Sequence, residues 1–273
     1  MNNYEVIEIY PKICVYRNIL RDPEGLYKVM KRSESASGGK YFLSAWTKWS
    51  HFGRYAQAKH FDQQPDIASD PIFQEEKLFV DDVTNAYNIA IEDYVKRYNV
   101  ALPNGSRFSG NSFCKYFKEV DNLGNDLTMQ YHTDFIISQK DMPGDKFFIT
   151  CTMYINDDYD GGDLAFYING EAINHKPKAG DIVIFPSGEP YYHGVKTIKN
   201  GEKFFVRNFM IYPFEGTEEW LSNQRSHGAY RWAKIEDERI DREDKLNMVY
   251  IKDDKKIDSE EFFSQRNEND GGM

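Results

Sequence analysis

Cysteine is scarce in this chain: three in 273 residues, at positions 14, 114 and 151. An odd, widely spaced set suits a reducing compartment rather than a disulfide framework. Long apolar stretches are absent; nothing approaches the roughly 18 residues a transmembrane helix requires. The opening MNNYEVIEIYPKICVY has no basic start, no extended apolar run and no small-residue cleavage site, so no signal peptide is expected. Positive charge is in deficit. Lys and Arg number 34 against 44 Asp and Glu, a net charge of -10. A duplex-binding surface needs cations to displace counterions from phosphate, so no nucleic-acid partner is expected. No membrane partner is expected either, and the cytoplasm is the expected location.

Large rings are abundant. With 19 Phe and 19 Tyr the chain can fill a sizeable core. Residues 1–104 read as a mixed, supporting region. Pro23 to Lys31 is expected to be helical, with Asp22 as its N-cap ahead of Pro23, and 33–40 to be a loop. Phe79, Val83, Ala86, Ala90 and Tyr94 recur at steps of three and four, so 74–98 is expected to be a packing helix. From Ser106 the period changes. SFCKYFKEV, KFFITCTMYIN, GDLAFYING, GDIVIFP and KFFVRNFMIY are short runs rich in β-prone residues, separated by Gly, Asn, Asp and Pro. Such spacing indicates an all-β sandwich or barrel. The β core is expected over 105–215. Beyond it, 216–273 reads as a charged extension, partly helical and partly mobile.

Within the β-rich region stands Tyr131-His132-Thr133-Asp134. Residues two apart in an extended segment share a side, so His132 and Asp134 can converge on one cation. His193 lies 59 residues beyond Asp134, after GDIVIFPSGEPYY. Two imidazoles and one carboxylate form the facial set suited to Fe(II), with coordination positions left for a bidentate cosubstrate and O2. The other histidines, His51, His60, His175 and His227, have no comparable setting; His175 reads as exposed. A zinc hydrolase could use the same three donors, but nothing in the sequence supplies its general base.

These motifs bring the chain into resemblance with a known family. The stretch from about Ser112 to Phe214 resembles the iron(II)/2-oxoglutarate dioxygenases, and within them the prolyl 4-hydroxylase-like branch. The family pattern HxD…H is matched by His132, Asp134 and His193. Its Tyr-Leu-Asn before acidic residues and Gly-Gly is matched by Tyr154-Ile155-Asn156 and Gly161-Gly162. KPKAGDIVIFPSGEPYYHGVKTIKNGEK resembles the run that leads to the distal histidine and then to Gly-x-(Arg/Lys). The resemblance implies a mainly β fold, a double-stranded β-helix (jelly-roll, cupin-like) core with N-terminal supporting helices. It also implies Fe(II), 2-oxoglutarate and O2, with ascorbate as reductant.

A 2-oxoglutarate dianion needs a buried cation for its distal carboxylate. The family register favours Lys203, ten residues after His193. Arg207 is the better carboxylate fork, and its even offset puts it on the same face. The choice stays open, with Lys203 marginally preferred. Tyr154 resembles the tyrosine that donates to that carboxylate, and Tyr116 another that lines the pocket. The implied reaction hydroxylates a C–H bond while 2-oxoglutarate becomes succinate and CO2. Asp134 fits hydroxylation, since halogenating relatives carry a small residue there. The substrate is expected to be a peptide or protein, a peptidyl proline for example, or a small molecule such as a free amino acid. Trp46–Trp49 and 135–146 are candidate lids. A nucleic-acid demethylase of the same superfamily and a non-catalytic metal-binding β-barrel are the alternatives; the charge balance and the intact triad count against them.

Overall fold

A computed structural model describes residues 4–36, 47–51, 54–60, 71–117, 126–135, 145–213, 248–252 and 255–257. The N-terminal half contributes β1 (Glu5–Tyr10), β2 (Ile13–Arg17), α1 (Pro23–Ala36), β3 (Thr47–His51), β4 (Arg54–His60) and α2 (Pro71–Tyr98). Then come β5 (Arg107–Phe108), β6 (Ser112–Phe117), β7 (Leu127–His132), β8 (Asp145–Tyr154), β9 (Asp160–Gly161) and β10 (Leu164–Ile168). The remainder is β11 (Glu171–His175), β12 (Ile182–Pro186), β13 (Tyr192–Lys196), β14 (Ile198–Asn200), β15 (Glu202–Pro213), β16 (Met248–Lys252) and β17 (Lys255–Ile257).

The main sheet runs β1-β2-β12-β8-β15-β6-β4-β3, with β5 beside β15. The smaller sheet runs β11-β10-β13-β7-β16-β17, and β9 pairs with β14. Followed along the chain, β6, β8, β12 and β15 belong to the main sheet, while β7, β10, β11 and β13 belong to the smaller one. This exchange of strands between two antiparallel sheets is the jelly roll, the double-stranded β-helix.

Burial on both faces explains why the strands of the main sheet read as nearly unbroken apolar runs. On β12, Ile182 and Ile184 face the helices, packing with Tyr87, Val83 and Leu26. Val183 and Phe185 face the smaller sheet, with Phe166 and Tyr154. Alternation does the same on β15: Phe204 and Val206 belong to the helix-side core and Phe205 to the inter-sheet core. Helix α2 is fastened by a buried polar contact as well. The Tyr87 hydroxyl donates to Val206 O at 2.7 Å and accepts from Met153 N at 3.0 Å, bridging two residues that face each other across β8 and β15.

Several expectations are refined. Asp22 does cap α1: its Oδ1 accepts from Gly25 N at 2.8 Å. The helix continues to Ala36 instead of yielding to a loop at Ser33, because Glu34 and Ala36 are good helix formers and the Gly-Gly breaker comes only at 38–39. The first strands are not merely supportive; β2 hydrogen-bonds to β12 and extends the main sheet. Part of the charged extension, expected as helix and mobile tail, is β-structured, with β16 lying on β7 so that Met248 faces His132. The reason is tertiary: β7 offers an edge, and NMVYIK supplies a β-prone segment within the charged sequence. Residues 37–40, Trp46, 136–144 and 214–247 lie outside the described residues, with the loop, lid and helix expectations placed there. Among the described residues no helix is long and apolar enough to cross a membrane.

Tyr87→Phe is expected to cost about 1–3 kcal/mol, because it leaves a buried N–H and a buried carbonyl without their shared partner. Urea unfolding of the two proteins measures this; a difference below about 0.5 kcal/mol would show that the bridge carries no stability.

Candidate metal centre

His132 occupies the last position of β7, and β13 places His193 directly opposite. Their ring centres are 4.5 Å apart. The ladder is irregular just beyond, where His193 and Val195 on β13 match His132 and Met129 on β7. One extra residue on β7 makes a bulge, a device that re-aims side chains at the end of a strand. Gly194 sits at this point. A Cβ there would come 2.5 Å from Met129 O and 3.1 Å from the Gln130 carbonyl carbon, so the close approach of the two strands requires glycine.

Asp134 reaches the same point by a different route from the one the extended reading implies. The strand ends at His132, and Asp134 lies in a bend. The Thr133 hydroxyl donates to Phe135 O at 3.0 Å, and Phe135 N donates to Ser187 O at 3.0 Å. The bend is thereby tied to the end of β12. His132 Nε2 lies 3.6 Å from Asp134 Oδ1, and His193 Nε2 lies 3.2 Å from Asp134 Oδ2. The three donor atoms fall within 4.8 Å of one another.

What surrounds the triad prepares it for a cation. His132 Nδ1 lies 2.9 Å from Gln130 O, and His193 Nδ1 lies 3.4 Å from Tyr191 O. A carbonyl only accepts, so each Nδ1 carries the proton and each Nε2 turns a lone pair inward. Phe185 packs edge-on against the His193 ring at 4.6 Å. Thr150, on β8, donates to Asp134 Oδ2 at 2.7 Å and lies 2.9 Å from Ser187 Oγ. Burial alone would raise the Asp134 carboxyl; the charge and N–H bonds of the two imidazoles in their protonated form outweigh it and hold the group well below the usual carboxylate range, a place that a bound cation would take. Burial pushes the His193 imidazole down, against the pull of Asp134, and His132 adds to the downward push. Neutral imidazoles around an ionised carboxylate are what a divalent ion binds, and the donor set fits Fe(II).

Lys203 and Arg207 both lie on the inner face of β15, but they aim differently. Lys203 is 1% exposed. Its ammonium lies 4.7 Å from the Tyr154 ring centre and 5.7 Å from that of Tyr159, and donates to Gly162 O. Among the described residues no carboxylate forms an ion pair with it. Burial, with Lys176 adding and Asp163 opposing, pulls it down to about 7. Arg207 is half-buried, its guanidinium carbon 5.3 Å from the Phe209 ring centre. Tyr154 is buried, and burial raises its phenol well above the usual value, keeping it a neutral donor. Tyr116 is the register partner of Lys203 and donates to Met129 Sδ at 3.3 Å. His175, expected to be exposed, is only 13% so, with Nε2 4.0 Å from Asp181 Oδ2; β11 folds it back against the start of β12.

Thr150, Ser187, Phe185 and Tyr159 escaped the sequence reading. For Thr150 a signal existed: in FFITCTMY the polar Thr150 and Thr152 and the phenol of Tyr154 alternate along one face of an otherwise apolar strand. Thr150→Val is expected to weaken metal binding about 10- to 100-fold, as the loss of an outer partner of a ligand does, while Thr150→Ser restores it. Titration with Co(II), read by its visible spectrum, measures both; equal affinity in Thr150→Val would show that the hydroxyl does not orient Asp134.

Residues 119–211 match the model of the 2OG-Fe(II) oxygenase superfamily. No curated protein matches the chain. Among solved structures, a Pseudomonas putida prolyl-4-hydroxylase is similar at 15% identity and a TM-score of 0.49, covering 74% of this chain and 92% of that one. The viral collagen prolyl hydroxylase of Paramecium bursaria Chlorella virus-1 is 12% identical with a TM-score of 0.48, covering 78% and 99%. AtDAO1, the dioxygenase for auxin oxidation 1 of Arabidopsis thaliana, is 13% identical with a TM-score of 0.49, covering 75% and 84%. The matched segment contains all three donors and both cations, and it is similar to the 2OG-Fe(II) oxygenase superfamily, whose cofactor and cosubstrates are Fe(II), 2-oxoglutarate and O2.

Proposed function

We propose that the protein is a prolyl 4-hydroxylase-like oxygenase that hydroxylates a C–H bond of its substrate as 2-oxoglutarate is converted to succinate and CO2. One observation carries this reading: His132, Asp134 and His193 converge within 4.8 Å, with both Nδ1 atoms turned to backbone carbonyls. Bound there, iron would supply the oxidising power that no side chain possesses. The chain holds it through two neutral nitrogens and one anion, and Thr150 fixes the carboxylate. Phe185 and Phe166 wall off the His193 side from water. Three free, buried cysteines are consistent with a reducing compartment, for which the cytoplasm is the proposed location.

Lys203 is the proposed anchor of the distal carboxylate. A buried ammonium among neutral phenols and a carbonyl is short of negative charge, and an arriving carboxylate supplies it in a charge-assisted hydrogen bond. Tyr154 is the proposed second donor, and Tyr116 lines the same wall. Lys203 also predicts a pH dependence. Its ammonium is charged below about pH 7 and increasingly neutral above it. Binding the dianion above that pH must return a proton to Lys203, so affinity for 2-oxoglutarate is expected to fall by up to about tenfold per pH unit between pH 7 and 9. Lys203→Arg, always charged, is expected to flatten the profile.

The test is anaerobic titration of the Fe(II) protein with 2-oxoglutarate, read by the visible metal-to-ligand absorption, then succinate measured on admitting air with ascorbate present. His132→Ala is expected to abolish both signals. Lys203→Met is expected to raise the 2-oxoglutarate constant at least 100-fold, in line with the roughly 3–5 kcal/mol lost when one partner of a buried ion pair is removed. No absorption and no succinate from the unaltered protein would sink the reading. The substrate is proposed to be a peptide or small molecule; mass spectrometry for a gain of one oxygen identifies it.

A further inference from the structure

Tyr159 lies in the connection from β8 to β9 and is 5% exposed. Its hydroxyl oxygen is fully buried, and among the described residues it has no hydrogen-bond partner. Other buried phenols in the fold are served: those of Tyr87 and Tyr94 donate to backbone carbonyls at 2.7 and 2.8 Å. A donor sealed away with nothing to donate to costs stability, so an acceptor arriving from outside would satisfy it. The ring itself is held in place. Lys176 Nζ lies 3.9 Å from its centre and donates to Tyr159 O at 2.9 Å. Gly162 stands against the ring with φ at +68°, and a Cβ there would come 2.9 Å from Tyr159 Cε2. Cε2 neighbours the carbon that bears the hydroxyl, so that end of the ring, and not its root, meets Gly162. Gly162 O is the atom to which Lys203 donates, and the Lys203 ammonium lies 5.7 Å from the Tyr159 ring centre. Tyr154 belongs to the same inter-sheet core, with the ammonium 4.7 Å from its ring centre. Burial raises both phenols, and Tyr159 adds to the rise at Tyr154, so both hydroxyls keep their protons.

From this arrangement we infer that Tyr159 is a further binding residue for the cosubstrate: its hydroxyl donates to the distal carboxylate that Lys203 and Tyr154 hold. This rests on the oxygenase reading and on Lys203 as the anchor. A carboxylate has two oxygens and about four lone-pair sites, so one ammonium and two phenols share it without competing. The ammonium has three protons and keeps its bond to Gly162 O as it does so. A hydrogen bond to an anion is stronger than one to a neutral acceptor, and more so where water is excluded. The same contact confers selectivity at this end of the cosubstrate. An oxo acid with an apolar group in place of the distal carboxylate leaves every one of these donors unsatisfied, and a site built to hydrogen-bond a group rejects the analogue that lacks it.

The experiment uses the full chain with Fe(II) in the absence of air. 2-Oxoglutarate is compared with 2-oxopentanoate, which has the same keto acid end for the metal and a methyl group where 2-oxoglutarate has its distal carboxylate. Both are titrated by the visible metal-to-ligand absorption. Tyr159→Phe is expected to raise the 2-oxoglutarate constant about tenfold or more, the loss of one hydrogen bond to a charged group, and to move the 2-oxopentanoate constant less than about threefold. The metal-free protein gives an independent readout. There Tyr159→Phe is expected to unfold at the same urea concentration as the unaltered chain or at a higher one, because it discards a donor that has no partner. A smaller rise in the 2-oxoglutarate constant overturns the proposal; combined with a lower urea midpoint, it assigns the hydroxyl to the fold instead. An equal rise for both acids overturns it too, since the loss is then not at the distal carboxylate. Absence of the absorption with 2-oxoglutarate in the unaltered protein is the separate failure of the oxygenase reading, and the role of Tyr159 falls with it.

Discussion

The pairing of β13 with β7 is the constraint on which the site depends. It sets His193 opposite His132, and the backbone at Gly194 approaches Met129 so closely that no side chain fits between them. The extra residue on β7 lies just before His132, and the strand ends at that histidine, where the chain bends and presents Asp134. From there the support spreads outward. Phe135 is tied to Ser187, Ser187 lies beside Thr150, and Thr150 holds Asp134. The facing sheets are thus joined at the metal position by hydrogen bonds as well as by ring packing.

The main sheet serves two masters because side chains alternate. One face of β8, β12 and β15 packs on the helices and supplies bulk stability. The other face carries Thr150, Tyr154, Lys203 and Arg207 toward the smaller sheet. A helix anchored by the Tyr87 bridge holds the sheet from behind, so the inner face can carry residues that are poor for stability. Lys203 shows this plainly: among the described residues no carboxylate pairs with its ammonium, and burying such a charge among rings is costly. The N-terminal strands widen the platform on one side, and β16 lies along β7 on the other sheet, outside the segment that matches the oxygenase model.

Much of this is readable from residues alone. The period-two runs after Ser106, with turn residues between them, indicate β-structure, and the three donors stand out because histidine is rare. Asp22 ahead of Pro23 marks a helix start that the structure confirms. Less visible were features that depend on pairing between distant segments. Nothing near Thr150 in sequence reveals that its hydroxyl meets Asp134, and nothing near Gly194 reveals how closely Met129 approaches it across the ladder. His175 read as exposed because its surroundings in sequence are polar, whereas β11 folds it against Asp181. NMVYIK lies in a charged stretch whose average composition favours solvent, and only the edge offered by β7 makes it a strand.

By itself the sequence determined the chemistry available: two imidazoles and a carboxylate for a metal, two cations at an even spacing, and enough aromatic surface to build a dry jelly roll around them. These follow from residue type and local period, which are properties of neighbours along the chain. Tertiary structure decided how that chemistry is deployed. It chose the bend that brings Asp134 to the imidazoles and the carbonyls that set their tautomers. It also set Lys203 against Tyr154 and Tyr159 and Arg207 against Phe209, although the alternation of β15 gives them the same face. Side-chain direction at that level depends on which rings and carbonyls other strands bring alongside, and local sequence does not encode those partners.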